Sequence, residues 1–338
     1  MSILYFDQIS PTGHKNYNQR IVDILEGKHE LVLFTNSKDN LIANNKIISE
    51  KINYELNRNI KIKLIKNTIE FMKIWNKNSY SKGVFSSFEI LSFSIINKFI
   101  KRKNNIFLIH HNTIDQLEKK SKLIVFKTFM NSYKHIVLSE NIKEYLILKT
   151  GICANKIFVV PHPLINNINL YESNENIISA LSNSNEEKFI EEFIKYLSSL
   201  KKRSLNDIVF FIKSKMNYKS NLKNVFIVND YLKKEEYINI IQRSKYILLP
   251  FPSHYKYRIS GVLLESIAMG KIVIASNTDT FKYYSNLYPG IIFTYSKMED
   301  IMYIVNSNKS FQPEQYNLFI EDHGDKIILQ RLEEAMGI

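Results

Sequence analysis

Residues 255–276 read YKYRISGVLLESIAMGKIVIAS, and they hold the types and spacing in this 338-residue chain best suited to chemistry. Ser260 and Gly261 open a short apolar helix pattern, Val262 follows, and Glu265 lies about a turn later. The pattern runs into Gly270 and then into KIVIAS, a buried-strand pattern. A helix N-terminus offers unpaired N–H groups and the positive end of a dipole, which suit a diphosphate. Small residues let a phosphate approach closely. One carboxylate just inside the helix can take two ribose hydroxyls. The alternative for Glu265 is an ordinary acid near a helix start, contributing only about 0.3–1 kcal/mol. A second candidate is the histidine pair His110 and His111, which ends the apolar run NIFLIHH. Neighbouring strand residues point to opposite faces, so at most one of the two is expected to act. His14, in PTGHKNY, is either a surface-loop residue or a substrate contact, and His162, between Pro161 and Pro163, reads as structural. No acidic cluster of the D-x-D type stands out, so metal-independent chemistry is expected.

These residues need elements to hold them. In the first half, strands are expected at SILYFD, ELVLFT, IKIKLI, NIFLIHH, KHIVLSE and KIFVVPHP. Helices are expected at NYNQRIVDILEG, ending near Gly27, and at NIKEYLILKTG, closed by Gly151. The longest apolar run, GVFSSFEILSFSIINKFI over 83–100, carries Glu89, Lys98 and several serines, and reads as a buried or interfacial helix rather than a membrane span. KNTIEFMKIWNKNSYSKG, over 66–83, is either a core helix with a charged outer face or a membrane-surface patch with Phe71, Met72 and Trp75 at the interface. The second half repeats the alternation: strands at NIISALSN, DIVFFIK, NVFIVN, KYILLPF, KIVIAS and PGIIFTY, and helices at EEKFIEEFIKYLSSL, KKEEYINIIQRS, GVLLESIAMG, SKMEDIMYIV and GDKIILQRLEEAM. Strands alternating with helices imply parallel α/β sheets. The expectation is two doubly wound, Rossmann-like domains, 1–165 and 170–315, facing across a cleft, then a terminal helix over 316–338. Ligands in such folds sit at the carboxyl ends of the strands.

Hydrophobic content of 45% places the chain among globular proteins. The single cysteine, Cys153, excludes an intrachain disulfide framework and a cysteine metal site, and a reducing, cytoplasmic home is expected. The N-terminus MSILYFDQIS has neither a basic region nor a long apolar run, so no export signal is expected. Net charge is +13, unevenly spread. Residues 1–165 hold 25 Lys and Arg against 13 Asp and Glu, and residues 166–338 hold 21 against 20. A basic first half implies an anionic partner: a membrane surface, a nucleic acid or a phosphorylated substrate. No recognised nucleic-acid motif is present, so an anionic membrane surface is expected and nucleic acid is not.

The order of elements resembles the retaining GT-B-fold glycosyltransferases of the group 1, family 4-like type, which include many bacterial polysaccharide and lipid-glycan enzymes. The strongest match is LLPFPSHYKYRISGVLLESIAMGKIVIAS, residues 248–276. It resembles the family's E-x7-E motif, whose second Glu falls on Glu265 and is implied to hold the ribose hydroxyls. Ser260, Gly261 and Val262 fall where backbone N–H groups approach the diphosphate. The first Glu of the motif is missing: Tyr257 stands there, followed by Arg258. Tyr257 would stack beside the donor, and Arg258 would offer its charge to the diphosphate or an acidic sugar. SNSNEEKFIEEF puts Lys188 where a phosphate-binding lysine is expected; the alternative is a solvated helix face. FLIHHN resembles the strand whose end carries a histidine facing the donor sugar, a role for His111 before His110. PTGHKNY is a reduced glycine-rich loop, with Gly13 and His14 as an acceptor or phosphate loop. The C-terminal helix would pack back toward the N-terminal domain.

The resemblance implies transfer of a sugar from a UDP- or GDP-linked donor to a membrane-proximal or lipid-linked glycan, with retention of anomeric configuration. Such transfer passes through an oxocarbenium-like state, so negative charge on the leaving group must be stabilised. No cofactor beyond the donor substrate is implied. The expected setting is capsule or lipopolysaccharide biosynthesis, with the enzyme peripheral on the cytoplasmic face of the membrane. Two alternatives stand: a relative that has lost catalysis and acts as a scaffold or as a nucleic-acid- or membrane-binding protein, and a nucleotide-sugar epimerase, which would need acid/base carboxylates in the cleft.

Overall fold

The structure is a computed structural model that describes residues 2–9, 14–34, 60–164, 170–171, 175–200 and 207–338. It divides into two units, Met1–Ile165 with Asp322–Ile338, and Asn166–Glu321. In the first unit the chain runs β1 (Ser2–Asp7), α1 (Lys15–Glu26), β2 (Glu30–Phe34), α2 (Ile60–Lys77), β3 (Lys82–Ser87), α3 (Ile90–Asn97), β4 (Ile106–Ile109), α4 (Thr113–Gln116), α5 (Lys120–Lys127), β5 (Lys134–Val137), α6 (Glu140–Thr150) and β6 (Ile157–Val159). The second unit adds β7 (Ile177–Ala180), α7 (Glu187–Ser199), β8 (Val209–Lys213), β9 (Val225–Val228), α8 (Lys234–Arg243), β10 (Tyr246–Leu249), α9 (Gly261–Ala268), β11 (Ile272–Ser276), α10 (Asp279–Leu287), β12 (Ile292–Tyr295), α11 (Met298–Asn306) and α12 (Pro313–Asp322). After His323 and Gly324 the last helix, α13 (Asp325–Met336), belongs to the first unit.

Both sheets have six parallel strands. The first has the order β2-β1-β3-β4-β5-β6 and the second β12-β11-β10-β7-β8-β9. Read from β9, the second sheet is the Rossmann order 3-2-1-4-5-6, with its switch between β7 and β10. The first sheet switches between β1 and β3. β1 and β4 are buried along nearly their whole length, as strands covered on both faces must be. In the second unit α7 shows why its sequence folds as it does. Ile190, Phe193, Ile194 and Leu197 form one buried stripe, while Lys188, Glu191, Glu192 and Lys195 face outward.

The first unit corrects two expectations and decides a third that was open. IKIKLI, expected as a strand, is the first part of α2. Its alternation suggested a period of two. Over a longer window, however, Leu64, Thr68, Phe71 and Trp75 fall on one helical stripe, and that stripe is buried. Residues 83–100, expected as one helix, are β3 followed by α3. Glu89 stops the strand by capping α3, its carboxylate accepting the Ser92 N–H at 2.8 Å. Gly83 lets the Trp75 ring pack close to β3, since a Cβ there would meet that ring at 3.0 Å, a tight contact. Finally, Phe71 and Trp75 belong to the core and not to a membrane interface. Both are fully buried, the Trp75 indole N–H donates to Lys101 O at 2.7 Å, and Arg102 covers its ring at 4.4 Å. Among the described residues, no helix is long and apolar enough to cross a membrane.

Candidate functional site

In the second unit the site begins where β10 ends. A crossover helix between parallel strands starts at the carboxyl edge of the sheet, so the α9 N-terminus lies at that edge. Ser260 caps it, its Oγ accepting the Leu263 N–H at 3.4 Å. Gly261 and Val262, half-buried, are the first residues of the helix, with the backbone N–H groups a helix cannot satisfy internally. Glu265 follows one turn on. Burial raises its carboxyl above the ordinary range, opposed by a hydrogen bond from Tyr237 and by the charge of Lys234. The Tyr237 hydroxyl lies 3.2 Å from Glu265 Oε2 and fixes the carboxylate from α8. Gly270, at φ 75°, ends the helix in the left-handed conformation that glycine tolerates. Before the helix, Tyr257 and Arg258 are half-buried, and the Arg258 guanidinium stacks 3.9 Å from the Tyr255 ring. The α7 start joins this edge, since the Glu186 N–H donates to Pro250 O at 2.8 Å. Lys188, in the first turn of α7, is 80% exposed and lies 3.9 Å from Glu192 on its own helix.

In the first unit a cluster of imidazoles lies at the carboxyl ends of β1 and β4. His111 stacks on His14 with ring centroids 4.0 Å apart, and Tyr17 meets it edge-on at 4.4 Å. His14 holds the position before α1 with φ 59°, an uncommon conformation for a residue with a Cβ. Gly13 lies outside the described residues. His111 is pushed well below the ordinary histidine range by burial, then by His14, His162 and His110. Its Nε2 is buried without a hydrogen-bond partner among the described residues.

His110 has a different environment. The Met130 carbonyl can only accept, so His135 donates to it from Nε2 at 2.8 Å. His135 Nδ1 therefore accepts from His110 Nε2, 2.9 Å away. Both rings are fully buried among Phe88, Phe126 and each other. His162 donates from Nδ1 to Pro163 O at 2.8 Å, and its own carbonyl accepts from His323 Nδ1 at 2.7 Å.

Three residues escaped the sequence reading. Asp7, at the end of β1, is 1% exposed and accepts from Asn18 at 2.7 Å, the Ile9 N–H at 2.9 Å and the Ser87 hydroxyl. Gln8 is fully buried beside it, with Nε2 within 2.7–3.1 Å of Thr68, Ser92 and Leu64 O. Tyr237 is the third. A polar pair ending a buried strand at the switch between β1 and β3 was the available signal for Asp7 and Gln8. Nothing in KKEEYINIIQRS singles out Tyr237. Among the described residues no group of three or more His, Cys, Asp or Glu could hold a metal ion.

No family model matches the chain. Among curated proteins, a dynein heavy chain-like protein 2 of Plasmodium falciparum is 30% identical over 132 residues, or 38% of this chain, and the chain spans about 2% of that protein's length. Solved structures match from end to end. HepE of Anabaena in complex with UDP superposes with a TM-score of 0.68 at 13% identity, covering 100% of both chains. The lipopolysaccharide outer core galactosyltransferase WaaB, in its apo form, gives 0.67 at 16% identity over 100% of this chain and 99% of that one. A sucrose-phosphate synthase of Thermosynechococcus elongatus gives 0.63 at 14% identity over 99% and 96%. The chain has the GT-B fold. At these identities the likeness establishes the fold.

Proposed function

We propose that this GT-B-fold chain is a glycosyltransferase that moves a sugar from a UDP- or GDP-linked donor to a lipid-linked or membrane-proximal glycan hydroxyl, with retention of configuration. The observation that carries the reading is the α9 N-terminus: N–H groups behind a Ser260 cap, with the Glu265 carboxylate one turn inside and fixed by Tyr237. The N–H groups take the diphosphate and Glu265 the ribose. The complexes of HepE with UDP and with UDP-glucose support a uridine nucleotide, and the likeness to WaaB, a lipopolysaccharide outer core galactosyltransferase, supports a glycan acceptor.

In the reaction the acceptor oxygen bonds to the anomeric carbon as the bond from that carbon to the phosphate oxygen breaks. The acceptor proton passes to the departing diphosphate. Its rising negative charge is met by the helix dipole. Attack and departure share one face, which retains configuration without a protein nucleophile. His111 contributes its unpartnered Nε2 to the sugar, and Arg258 its charge to the diphosphate. The test screens nucleoside-diphosphate sugars for thermal stabilisation, since an occupied site stabilises the fold by mass action. One donor should stand out, and Glu265→Ala should weaken it by about 1.5–3 kcal/mol, the range for a hydrogen bond to a charged group. Unchanged affinity in a folded Glu265→Ala variant, or no stabilisation and no hydrolysis with any donor, refutes the proposal.

A further inference from the structure

α3 carries large apolar residues on two opposite sides, and only one side is covered. Ile90, Phe93 and Ile96 face the core. Leu91, Ile95 and Phe99 recur every fourth residue along the opposite side and are 38%, 54% and 64% exposed. α5 packs beside α3 and adds Ile124, 65% exposed. Large aliphatic and aromatic side chains aligned on a surface mark an interaction site.

The two segments that carry this ridge are basic. From Ile90 to Asn105 there are four basic residues and no acid, and from Lys119 to Lys134 five lysines and no acid. Lys98, Lys101, Lys119, Lys120 and Lys127 are exposed, and the described ion pairs involve none of them. The acids nearest these segments are engaged. Glu89 caps α3 and pairs with Lys122 at 3.0 Å, and Glu118 meets Lys149 at 3.1 Å and the Tyr145 hydroxyl.

We infer that the α3–α5 face is a docking surface for an anionic lipid bilayer, with Leu91, Ile95, Phe99 and Ile124 entering the acyl boundary and the surrounding lysines meeting lipid phosphates. Exposed lysines and exposed apolar residues share these two segments, the combination that interfacial binding uses. The centres of protein interfaces are depleted of lysine. Single-stranded nucleic acid needs aromatic stacking platforms, and this face offers Phe99 alone among aliphatic residues. The α3 start is tied to the carboxyl edge of the first sheet, because the Glu89 N–H donates to Gln8 Oε1 at 2.6 Å. The surface therefore begins beside the His111 end of the unit. It deepens the lipid-linked-acceptor reading and rests on that reading only for the identity of the acceptor.

The experiment is co-sedimentation of the full chain with vesicles of pure phosphatidylcholine or of phosphatidylcholine with phosphatidylglycerol. The wild type should bind the anionic vesicles and lose binding as salt rises past about 0.1 M, where screening acts within about 10 Å. A Lys98→Gln, Lys101→Gln, Lys120→Gln, Lys127→Gln variant should bind at least tenfold more weakly, since each lysine contributes about fivefold. Ile95→Ser with Phe99→Ser should also lose about tenfold or more, because apolar burial adds to the electrostatic attraction. Both variants change exposed positions and should keep the wild-type thermal midpoint and donor-induced stabilisation. Equal binding of neutral and anionic vesicles, or wild-type binding by either variant, overturns the inference. So does a wild-type dimer that Ile95→Ser with Phe99→Ser makes monomeric without lipid, which assigns the face to a second copy. RNA binding that the lysine variant loses, without any vesicle binding, overturns it as well. A chain that binds anionic vesicles but uses no sugar donor keeps this surface and removes the transfer reading; one that transfers to a soluble glycan and ignores vesicles does the reverse.

Discussion

Acid should unfold the first unit before the second. His110, His111, His135, His162 and His323 are all buried in the first unit, and burial lowers the proton affinity of each. His135 and His323 fall to about 4 and His162 to about 3. In the unfolded chain each returns to about 6.5. The unfolded state therefore binds more protons between these values, so the stability is complete above about pH 6.5 and drains as pH falls. Between about pH 8 and about pH 5, each of these three rings costs about 2 kcal/mol, or about 6 kcal/mol together, at 1.36 kcal/mol per pH unit over about 1.5 units. A domain holds only about 5–15 kcal/mol in total. The second unit has one histidine, His254, which is exposed. Its half-buried Glu265 has a raised carboxyl pKa, so that group gains stability on acidification rather than losing it. Trp75, the only tryptophan, lies in the first core and reports that unit alone. Urea titrations at pH 8 and pH 5 should show the Trp75 fluorescence midpoint falling steeply, while circular dichroism keeps a second, later transition. A Trp75 midpoint that stays the same at both pH values refutes the reasoning.

Two further outcomes concern the edge of the first sheet. His111→Ala should lower turnover about tenfold, the loss of one hydrogen bond of about 1.4 kcal/mol to the sugar, with nucleotide affinity unchanged. His110→Ala should instead lower the Trp75 urea midpoint, because it strands His135 Nδ1 in the core; loss of turnover in folded His110→Ala but not in His111→Ala would reverse the assignment. Gln8→Ala should cost about 3 kcal/mol by leaving the Glu89 N–H and other buried groups without their partner, read by urea denaturation; an unchanged midpoint would show that Gln8 does not tie α2 and α3 to β1.

The parallel alternation was legible because every strand but one announced itself as a short apolar run between helix signals. β3 was hidden by continuity. VFSSF flows into EILSFSII with no glycine or proline between them, and only the capping geometry of Glu89 separates strand from helix. α2 was hidden by its first six residues, whose alternation satisfies a strand locally. The decision belongs to Phe71 and Trp75, a turn and more away, because burying those two rings outweighs any local preference at Ile60 and Ile62, which stay exposed at 70% and 44%. The α9 start could be read directly, since Ser260, Gly261 and Gly270 each carry a local rule for helix ends. Tyr237 could not, because its meeting with Glu265 joins residues 28 positions apart.

The same distinction explains why Asp7 and Gln8 matter more than their sequence suggested. Each ends a buried strand, where backbone groups are already paired and a polar side chain must find partners elsewhere or be costly. Asp7 finds them on α1 and β3, through Asn18 and Ser87. Gln8 finds them on α2 and α3, through Thr68 and Ser92, while Asn67 donates to its carbonyl at 2.8 Å. Two adjacent residues thus fix four elements at the switch between β1 and β3, the point where a doubly wound sheet opens to a ligand. That fixity holds the start of α3 at the same edge of the sheet as the imidazole cluster. An edge held by paired, buried side chains needs no rearrangement to receive a ligand, the condition under which proximity contributes most to rate.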